Sequence, residues 1–200
     1  MSGTHTESNF NLRMTVYCAL FTALIIIGGY ISIPIPVGPV PIALADFFVM
    51  LTGLFLGWKY GLICVSLYIV LGALGMPVFA GGSAGLAVLF GPTGGFLFGY
   101  LLMAASIGFI SGKMKTSVIP LVASYLIPLI IGNIFLYLPG LSWLKFVLNL
   151  SWAAAIAAGL SPFLIGAVIK IAAAAALGSV LLPRFKQSLT STVHADNEGE

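Results

Sequence analysis

Long apolar runs that are almost free of charge are the feature that most constrains this sequence. Only 6% of its 200 residues are charged, while 60% are hydrophobic. An ordinary soluble domain carries a charge on about a quarter of its residues. Eight basic and five acidic side chains are too few to cover a water-facing surface of this size. The sequence therefore predicts that most of the surface contacts lipid.

Six apolar runs predict an all-α integral membrane protein, a bundle of six transmembrane helices. About 20 apolar residues, rising about 1.5 Å each, cross a hydrocarbon core of about 30 Å. The second and third runs are short and separated only by Trp58 and Lys59, which indicates a tight hairpin. A proline-rich segment after the first run cannot continue a helix and forms a stiff extended loop. The runs cover residues 13–33, 42–57, 60–74, 91–111, 118–138 and 162–182.

Residues 141–158 are ambiguous because they combine apolar residues with Lys145 and two tryptophans. We expect a helix near the membrane interface or folded over the bundle, and a seventh crossing is the alternative. The first residues lack the pattern of a cleavable signal peptide. The expected organisation is a flexible N-terminal tail, a six-helix membrane domain and a flexible C-terminal tail, at residues 1–12, 13–186 and 187–200.

The basic residues are distributed unevenly about the predicted helices. With six crossings, all but one of those near helix ends fall on the same side, and the exception is Lys145. Cytoplasmic loops carry an excess of Lys and Arg, so we expect both termini to be cytoplasmic and the chain to be a multi-pass protein of the cell (plasma) membrane. These cations form no patch of the kind that binds nucleic acid. The residues on the shared side are Arg13, Lys59, Lys113, Lys115, Arg184 and Lys186.

Residue types needed for catalysis are missing from the apolar part of the sequence. Its two histidines, His5 and His194, lie in the polar tails, and there is no glycine-rich loop for ATP phosphates. Residues 81–85 fit the pattern G-x-S-x-G, but a nucleophilic serine needs a nearby histidine base. Cys18 and Cys64 lie in apolar runs without metal-ligand spacing. We therefore expect no enzyme activity, no metal and no cofactor.

Two charged residues, Asp46 and Lys170, lie within the hydrophobic body. A charge in a membrane costs several kcal/mol unless it is solvated or paired, so such residues mark functional sites by default. One interpretation is a structural Asp46–Lys170 ion pair. In the other, Lys170 donates to an acceptor oxygen of a bound solute, with Asp46 nearby. Both interpretations predict a polar cavity in the outer half of the bundle.

The segment between the third and fourth runs is unusually rich in glycine and proline. Pro77 and Pro92 bound it, and its glycines allow backbone to approach a ligand closely. Backbone N–H groups and the hydroxyl of Thr93 could bind a solute there without charged side chains. We expect a binding lid on the external side, and a simple connector is the alternative.

Two strings in this segment resemble a known family. LGMPVFAGG at residues 74–82 and LFGPTGGF at residues 89–96 are similar to the signature of the BioY family, the biotin-specific S components of energy-coupling-factor (ECF) transporters. Weaker similarities occur at residues 53–57 and at residues 161–166, ahead of Lys170. The resemblance extends over most of the hydrophobic sequence, from about Thr15 to Leu182.

The resemblance implies a substrate-binding subunit with six helices that captures biotin from outside. Biotin would be held among helices four to six and loops one, three and five. Delivery would require a transmembrane coupling protein and two cytoplasmic ATP-binding subunits, with Ala19 and Ala23 of the first helix docking on the coupling protein. The candidate substrate-binding residues are Asp46, Phe79, Gly81, Gly82, Ser83, Gly91, Thr93, Asn133 and Lys170.

Three positions depart from the pattern of the family. It commonly has glutamine where Ala45 stands, arginine near Ser83 and aspartate where Ala167 stands, so expected polar partners of biotin are missing. Asp46, next to Ala45, is a candidate replacement for one of them. The alternatives are an S component for another vitamin-like solute and a stand-alone secondary carrier. The scarcity of buried acids argues against proton coupling in such a carrier.

Overall fold

The computed structural model describes residues 3–35, 38–114 and 121–197. Helices dominate this part of the chain, and the only strands in it, β1 (Ser32–Ile33) and β2 (Ile42–Ala43), form one antiparallel pair in the first loop. Single 3₁₀ turns occur at Ala80–Gly82 and Ser161–Phe163. The helices are α1 (Gly3–Tyr30), α2 (Ala45–Ala73), α3 (Leu86–Phe90), α4 (Gly94–Lys113), α5 (Leu121–Val147), α6 (Trp152–Gly159) and α7 (Leu164–Asn197).

Five stretches of the described chain are long and apolar enough to cross a membrane. Large apolar side chains remain exposed along them, as expected where lipid is the solvent. The predicted all-α membrane fold is therefore confirmed. The stretches are Leu12–Tyr30, Ala45–Ala73, Gly94–Lys113, Ser124–Val147 and Trp152–Phe185.

The predicted hairpin between the second and third runs is present inside α2. Gly57 has φ 73° and ψ −178°, a conformation outside the helical region that is accessible almost only to glycine. A Cβ on Gly61 would lie 3.7 Å from the Cα of Gly53, although eight residues of continuous helix would separate them by about 12 Å. The two halves of α2, residues 45–56 and 58–73, therefore run back along each other.

Close backbone approach holds α4 between α2 and α5. A Cβ on Gly53 would lie 2.8 Å from the carbonyl oxygen of Ala104, and one on Gly99 would lie 2.7 Å from that of Leu136. Small residues at helix contacts allow this packing in membranes, where helices gain little from the hydrophobic effect. Fully buried side chains, including Met103, fill the space between these helices. Close backbone contacts therefore fix the relative positions of the helices around the cavity described below.

The outer helices are longer than the apolar runs that predicted them. α1 begins at Gly3, and no proline interrupts it. α7 continues through Pro183 to Asn197. Helical backbone thus extends into both predicted tails, whose flexibility remains a prediction. Lys115 and the side chain of Lys186 lie outside the described residues.

The ambiguous segment at 141–158 is divided between two helices. α5 continues through Pro128 and Pro139 to Val147, since neighbouring helices can support proline within a membrane helix. A break follows, where Asn149 has φ 51°, and then α6. At eight residues and about 12 Å, α6 is too short for a separate crossing, and its Gly159 lies against Leu144 of α5. The helix folded over the bundle is therefore the better description.

Candidate functional site

A cavity of about 380 Å³, the main cavity, lies between the first loop, α2, α4 and residues 74–93, which we call the lid. Apolar and aromatic side chains form most of its wall. The first loop contributes residues 39–41 and Ala43, and α2 contributes Ala45 and Tyr68. The remaining lining residues are Phe79, Ala80, Ser83, Ala87, Val88, Gly91, Pro92 and Thr93 of the lid and Phe96, Leu97 and Tyr100 of α4.

Phe79 anchors the lid to α2. Its side chain is 1% exposed, and its ring meets that of Tyr68 edge to face, with centroids 5.4 Å apart. The ring packs so closely on Gly72 that a Cβ there would overlap it. The N–H of Gly85 also donates to the carbonyl oxygen of Gly72 at 2.7 Å. This packing therefore requires both the glycine at position 72 of α2 and the phenylalanine at position 79 of the lid.

Hydrogen bonds to two other helices hold the ends of the lid. The hydroxyl of Tyr30 on α1 donates to the carbonyl oxygen of Pro77. Nε1 of Trp143 on α5 donates to the carbonyl oxygen of Gly91 at 3.0 Å. Behind it, a Cβ on Gly95 would lie 2.7 Å from the carbonyl oxygen of Pro139. The lid is thus a braced wall of the cavity rather than a loose connector.

A smaller space of about 50 Å³, the polar recess, adjoins the main cavity. The two share Val40, Pro41, Ala43, Phe96 and Tyr100 as lining residues. Asp46, Leu136, Tyr137, Phe163 and Lys170 complete the recess. Every polar side chain at this end of the site therefore comes from α2, α4, α5 or α7.

Asp46 and Lys170 form an ion pair in the recess, as one interpretation of the sequence predicts. Nζ of Lys170 lies 2.7 Å from both Oδ1 and Oδ2 of Asp46 and donates to the carbonyl oxygen of Ala43 at 2.9 Å. The N–H of Phe47 donates to Oδ1 at 3.0 Å. The two side chains are 10% and 12% exposed, so the pair is nearly removed from solvent.

The other predicted site residues lie at different distances from the cavity. Phe79, Ser83, Gly91 and Thr93 line it. The hydroxyls of Ser83 and Thr93 donate to lid carbonyls, those of Ala80 and Val88, so they stabilise the fold of the lid.

Gly81 and Gly82 are not among the lining residues of the cavity. They have φ values of 65° and 78°, and their Cα atoms face Ser32 and the ring of Tyr30 respectively. Their structural contribution is the tight turn that follows Phe79 within the lid. Ala19 and Ala23 are exposed on α1, away from the cavity.

Asn133 lies outside the cavity, at a lateral groove of about 500 Å³ between α5, α6 and α7. Its Nδ2 donates to the carbonyl oxygen of Leu129 at 2.9 Å and lies 3.4 Å from Sδ of Met50. Its Oδ1 is buried and has no hydrogen-bond partner in the described part of the chain. Ala167 lines this same groove. The lateral groove is otherwise nearly all apolar.

Three tyrosines at the site were not predicted from the sequence. Tyr68, Tyr100 and Tyr137 come from three different helices, and within the described residues none of their hydroxyls has a hydrogen-bond partner. The sequence did contain a pattern that could have indicated them, a tyrosine in the middle of an apolar run. A tyrosine hydroxyl that is removed from water needs a hydrogen-bond partner. Fold and site together define a helical membrane protein with a cavity of small-molecule size beneath a braced lid.

Comparison with known proteins identifies this protein further. The model of the BioY family matches residues 4–187, and the chain belongs to that family. It is 42% identical to the biotin transporter BioY of Thermotoga maritima, over 82% of this chain and 92% of that protein. It is 41% identical to the probable biotin transporter BioY of Pyrococcus horikoshii, over 78% of this chain and 88% of that one.

A solved structure gives the same result. The chain resembles the crystal structure of the S-component for biotin from an ECF-type ABC transporter, with a TM-score of 0.80 and 33% identity. The match covers 90% of this chain and 94% of that one. These relatives are transport proteins, and the BioY family is not a family of enzymes.

Proposed function

We propose that this chain is the substrate-binding S component for biotin uptake. The observation that carries the proposal is the main cavity, which is closed by the lid and ends in a recess with one ion pair. Its volume of about 380 Å³ falls within the range of about 300–1,000 Å³ for small-molecule sites. Apolar walls with a few polar groups at one end suit a ligand with a polar ring, a thioether and an aliphatic chain. Biotin has these parts.

The proposed binding residues are those that line the cavity and its recess. Phe79 supplies an apolar wall, and the lid residues Ser83, Gly91 and Thr93 shape the roof. Asp46 and Lys170 supply the charged end. Access from outside would require the lid to open, and the hydrogen bonds of Tyr30 and Trp143 are among the contacts that opening would break.

In this proposal, partner proteins supply the energy for transport. The sequence contains no ATP-binding loop, so energy would come from an ECF module with a transmembrane coupling protein and two cytoplasmic ATP-binding subunits. Ala19 and Ala23 lie exposed on α1, where small residues would permit close helix–helix approach. We propose this face of α1 as the docking surface for the coupling protein.

The proposed topology has six crossings of the plasma membrane, with both termini in the cytoplasm. The reversal at Gly57 supports the division of α2 into two crossings. Its halves are short, at about 18 Å and 24 Å by helical rise, and local thinning or interfacial residues accommodate such mismatch. Lys59 and Lys113 would then lie on the cytoplasmic side with both termini, in accord with the excess of cations there.

Equilibrium binding of labelled biotin to the detergent-purified full chain tests the proposal. We expect nanomolar binding that desthiobiotin competes for and that lipoate and thiamin do not. Binding of lipoate or thiamin in place of biotin would leave an S component for another solute. No binding of any of them to folded protein would contradict the substrate assignment.

Uptake into proteoliposomes separates an S component from a self-sufficient carrier. We expect the chain alone to give no ion-gradient-driven biotin accumulation. Uptake should appear only when the ECF module and ATP are present. Accumulation by the chain alone, abolished by an ionophore, would favour a secondary carrier instead.

A further inference from the structure

The lateral groove and the lysine at its outer end have the features of a lipid site. We propose that the groove holds one acyl chain of an anionic phospholipid of the outer leaflet, whose phosphate contacts Lys145 and Trp152. This inference goes beyond the proposed function and does not depend on biotin. Only the choice of leaflet rests on the proposed topology, in which α5 ends on the external side.

The groove follows one face of α5 as far as Lys145. Ile130, Ile134, Leu138 and Ser142 are among its lining residues and lie four positions apart. Residues three or four positions apart are neighbours on the same side of a helix. Lys145 comes three residues after Ser142, so it continues this face about one turn beyond the groove.

The length of the groove suits a single acyl chain. From Ile130 to Ser142, α5 rises about 18 Å at about 1.5 Å per residue. One leaflet contributes half of a hydrocarbon core of about 30 Å. Side chains on both walls are exposed, among them Ile134 of α5 and Val168 of α7. A chain can therefore enter sideways from the bilayer and lie along α5.

Trp152 holds Lys145 at the mouth of the groove. Trp152 lines the groove, and Nζ of Lys145 lies 5.4 Å from the centroid of its indole ring, within the range of a cation–π contact. That contact uses the face of the ring. Nε1 at the edge of the ring, like Nζ of Lys145, donates to no protein atom within the described residues. The mouth thus presents one positive charge and N–H donors that are available to a headgroup.

The protein supplies no anion for Lys145. The sequence has five acidic residues, of which Asp46 is engaged by Lys170. The other four lie near the termini, at positions 7, 196, 198 and 200. Lysine binds phosphate as a point charge. An anionic phospholipid combines the missing negative charge with the apolar chain that the groove accommodates.

Lipid binding to the full-length protein tests the site. Native mass spectrometry of the detergent-purified chain measures dissociation constants for dioleoylphosphatidylglycerol, which is anionic, and for dioleoylphosphatidylcholine, which has the same chains and no net charge. The variants are Lys145→Gln, Lys145→Arg and Ala167→Phe. Lys59→Gln is the matched lysine control, because Lys59 also lies over a tryptophan ring, that of Trp58 at 5.6 Å, but lies away from the groove. Ala176→Phe is the matched control for added bulk, since Ala176 is exposed on α7 outside the groove.

The lysine variants test the headgroup contact. Wild-type protein should bind one phosphatidylglycerol about threefold to tenfold more tightly than phosphatidylcholine, the effect expected of one lysine beside an anionic lipid. Lys145→Gln should reduce this preference to less than about twofold, whereas Lys145→Arg and Lys59→Gln should retain it. Equal losses in Lys145→Gln and Lys59→Gln would mean that surface lysines attract the lipid without a defined site, and the proposal would be wrong.

The alanine variants test the position of the acyl chain. Ala167→Phe should weaken the binding of both lipids about tenfold or more, because the ring fills the groove, and Ala176→Phe should change neither by more than about twofold. Unchanged lipid binding in Ala167→Phe would place the chain elsewhere and overturn the proposal. Displacement of phosphatidylglycerol by millimolar inorganic phosphate would also overturn it, since the site would then bind an anion alone. A wild-type dimer that Ala167→Phe converts to monomer would show that a second copy covers the groove instead.

Biotin binding by the same variants separates this inference from the proposed function. Lys145 and Ala167 line neither the main cavity nor the recess, so both variants should bind biotin within about twofold of wild type. Protein that binds biotin but shows no preference at Lys145 would contradict the lipid site alone. Protein that shows the preference but binds no biotin would contradict only the proposed function. Unfolding midpoints identify any misfolded variant, and if Ala167→Phe does not fold, the comparison of Lys145→Gln with Lys59→Gln decides the question.

Discussion

The main cavity and the lateral groove are two large spaces in the described part of this protein, and they differ in construction. The groove is the larger, at about 500 Å³ against 380 Å³. Backbone contacts at glycines and a braced lid enclose the cavity. Side chains of α5 and α7 border the groove, and many of them are exposed, among them Leu138 and Val168, each 65% exposed.

Polar groups distinguish the two spaces more than size does. The cavity leads to a small recess lined by the Asp46–Lys170 ion pair and by Tyr100 and Tyr137. The groove has Asn133, Tyr137 and Ser142 among its lining residues, and Oδ1 of Asn133 is buried. An open apolar surface on membrane helices matches the hydrocarbon of the bilayer. Convergent polar groups beside an enclosed volume therefore identify the solute site.

The largest expected effect comes from filling each space with an aromatic ring. Ala45 lines the main cavity and Ala167 lines the groove, and both are buried alanines. Ala45→Phe should weaken biotin binding about a hundredfold or more, which is about 2.8 kcal/mol at 1.4 kcal/mol per tenfold, because the ring occupies the ligand's space. Ala167→Phe should change it by less than about twofold. Binding by the purified proteins measures both.

Unfolding midpoints measured in detergent are the stability control for the variants Ala45→Phe and Ala167→Phe. Overpacking costs about 1–3 kcal/mol of stability at either position, so a similar loss of stability in both variants would leave the binding difference meaningful. If Ala167→Phe abolishes binding and Ala45→Phe does not, the comparison is reversed and the groove is the solute site.

A smaller effect should follow from loosening the lid. Trp143 donates to the carbonyl oxygen of Gly91, whereas Trp152 lines the groove and is exposed. Trp143→Phe should weaken biotin binding about twofold to tenfold, the value of one neutral hydrogen bond, mainly through faster dissociation. Trp152→Phe should leave the rate unchanged. Stopped-flow release of labelled biotin distinguishes them, and equal rates for both variants would show that the bond does not brace the closed lid.

The features that could be predicted from the sequence depend on local chemistry. Length and apolarity predict membrane helices, and the Gly57–Trp58–Lys59 interruption predicts the hairpin. Glycine and proline between the third and fourth runs predict the lid. The pairing of Asp46 with Lys170 follows from the cost of an isolated charge in an apolar bundle. Each of these conclusions needs only a few neighbouring residues or one strong energy term.

Features set by tertiary packing could not be predicted. A helix that contacts lipid on one side and protein on the other is apolar all round, so periodicity does not reveal which side faces the cavity. For this reason the three tyrosines were missed. Asn133, one of the candidate substrate-binding residues, lies at the groove instead. The extension of α5 to Val147 depends on neighbours that support its two prolines.

The smallest expected effect comes from Asn133 itself. Asn133→Leu removes a buried acceptor that has no partner, which is favourable by about 1–3 kcal/mol, and loses the two contacts of Nδ2, which is unfavourable by about as much. The unfolding midpoint in detergent should therefore shift little, and biotin affinity should stay within about twofold of wild type. Tyr137→Phe, one turn away on the same helix, is the matched comparison because Tyr137 lines the recess as well as the groove, and this change should weaken binding. A tenfold loss of affinity in Asn133→Leu, with stability unchanged, would mean that the wall between groove and recess opens when biotin binds, since Oδ1 would have to reach the ligand. The two spaces would then be parts of one site, and the distinction between them would hold only for the conformation described above.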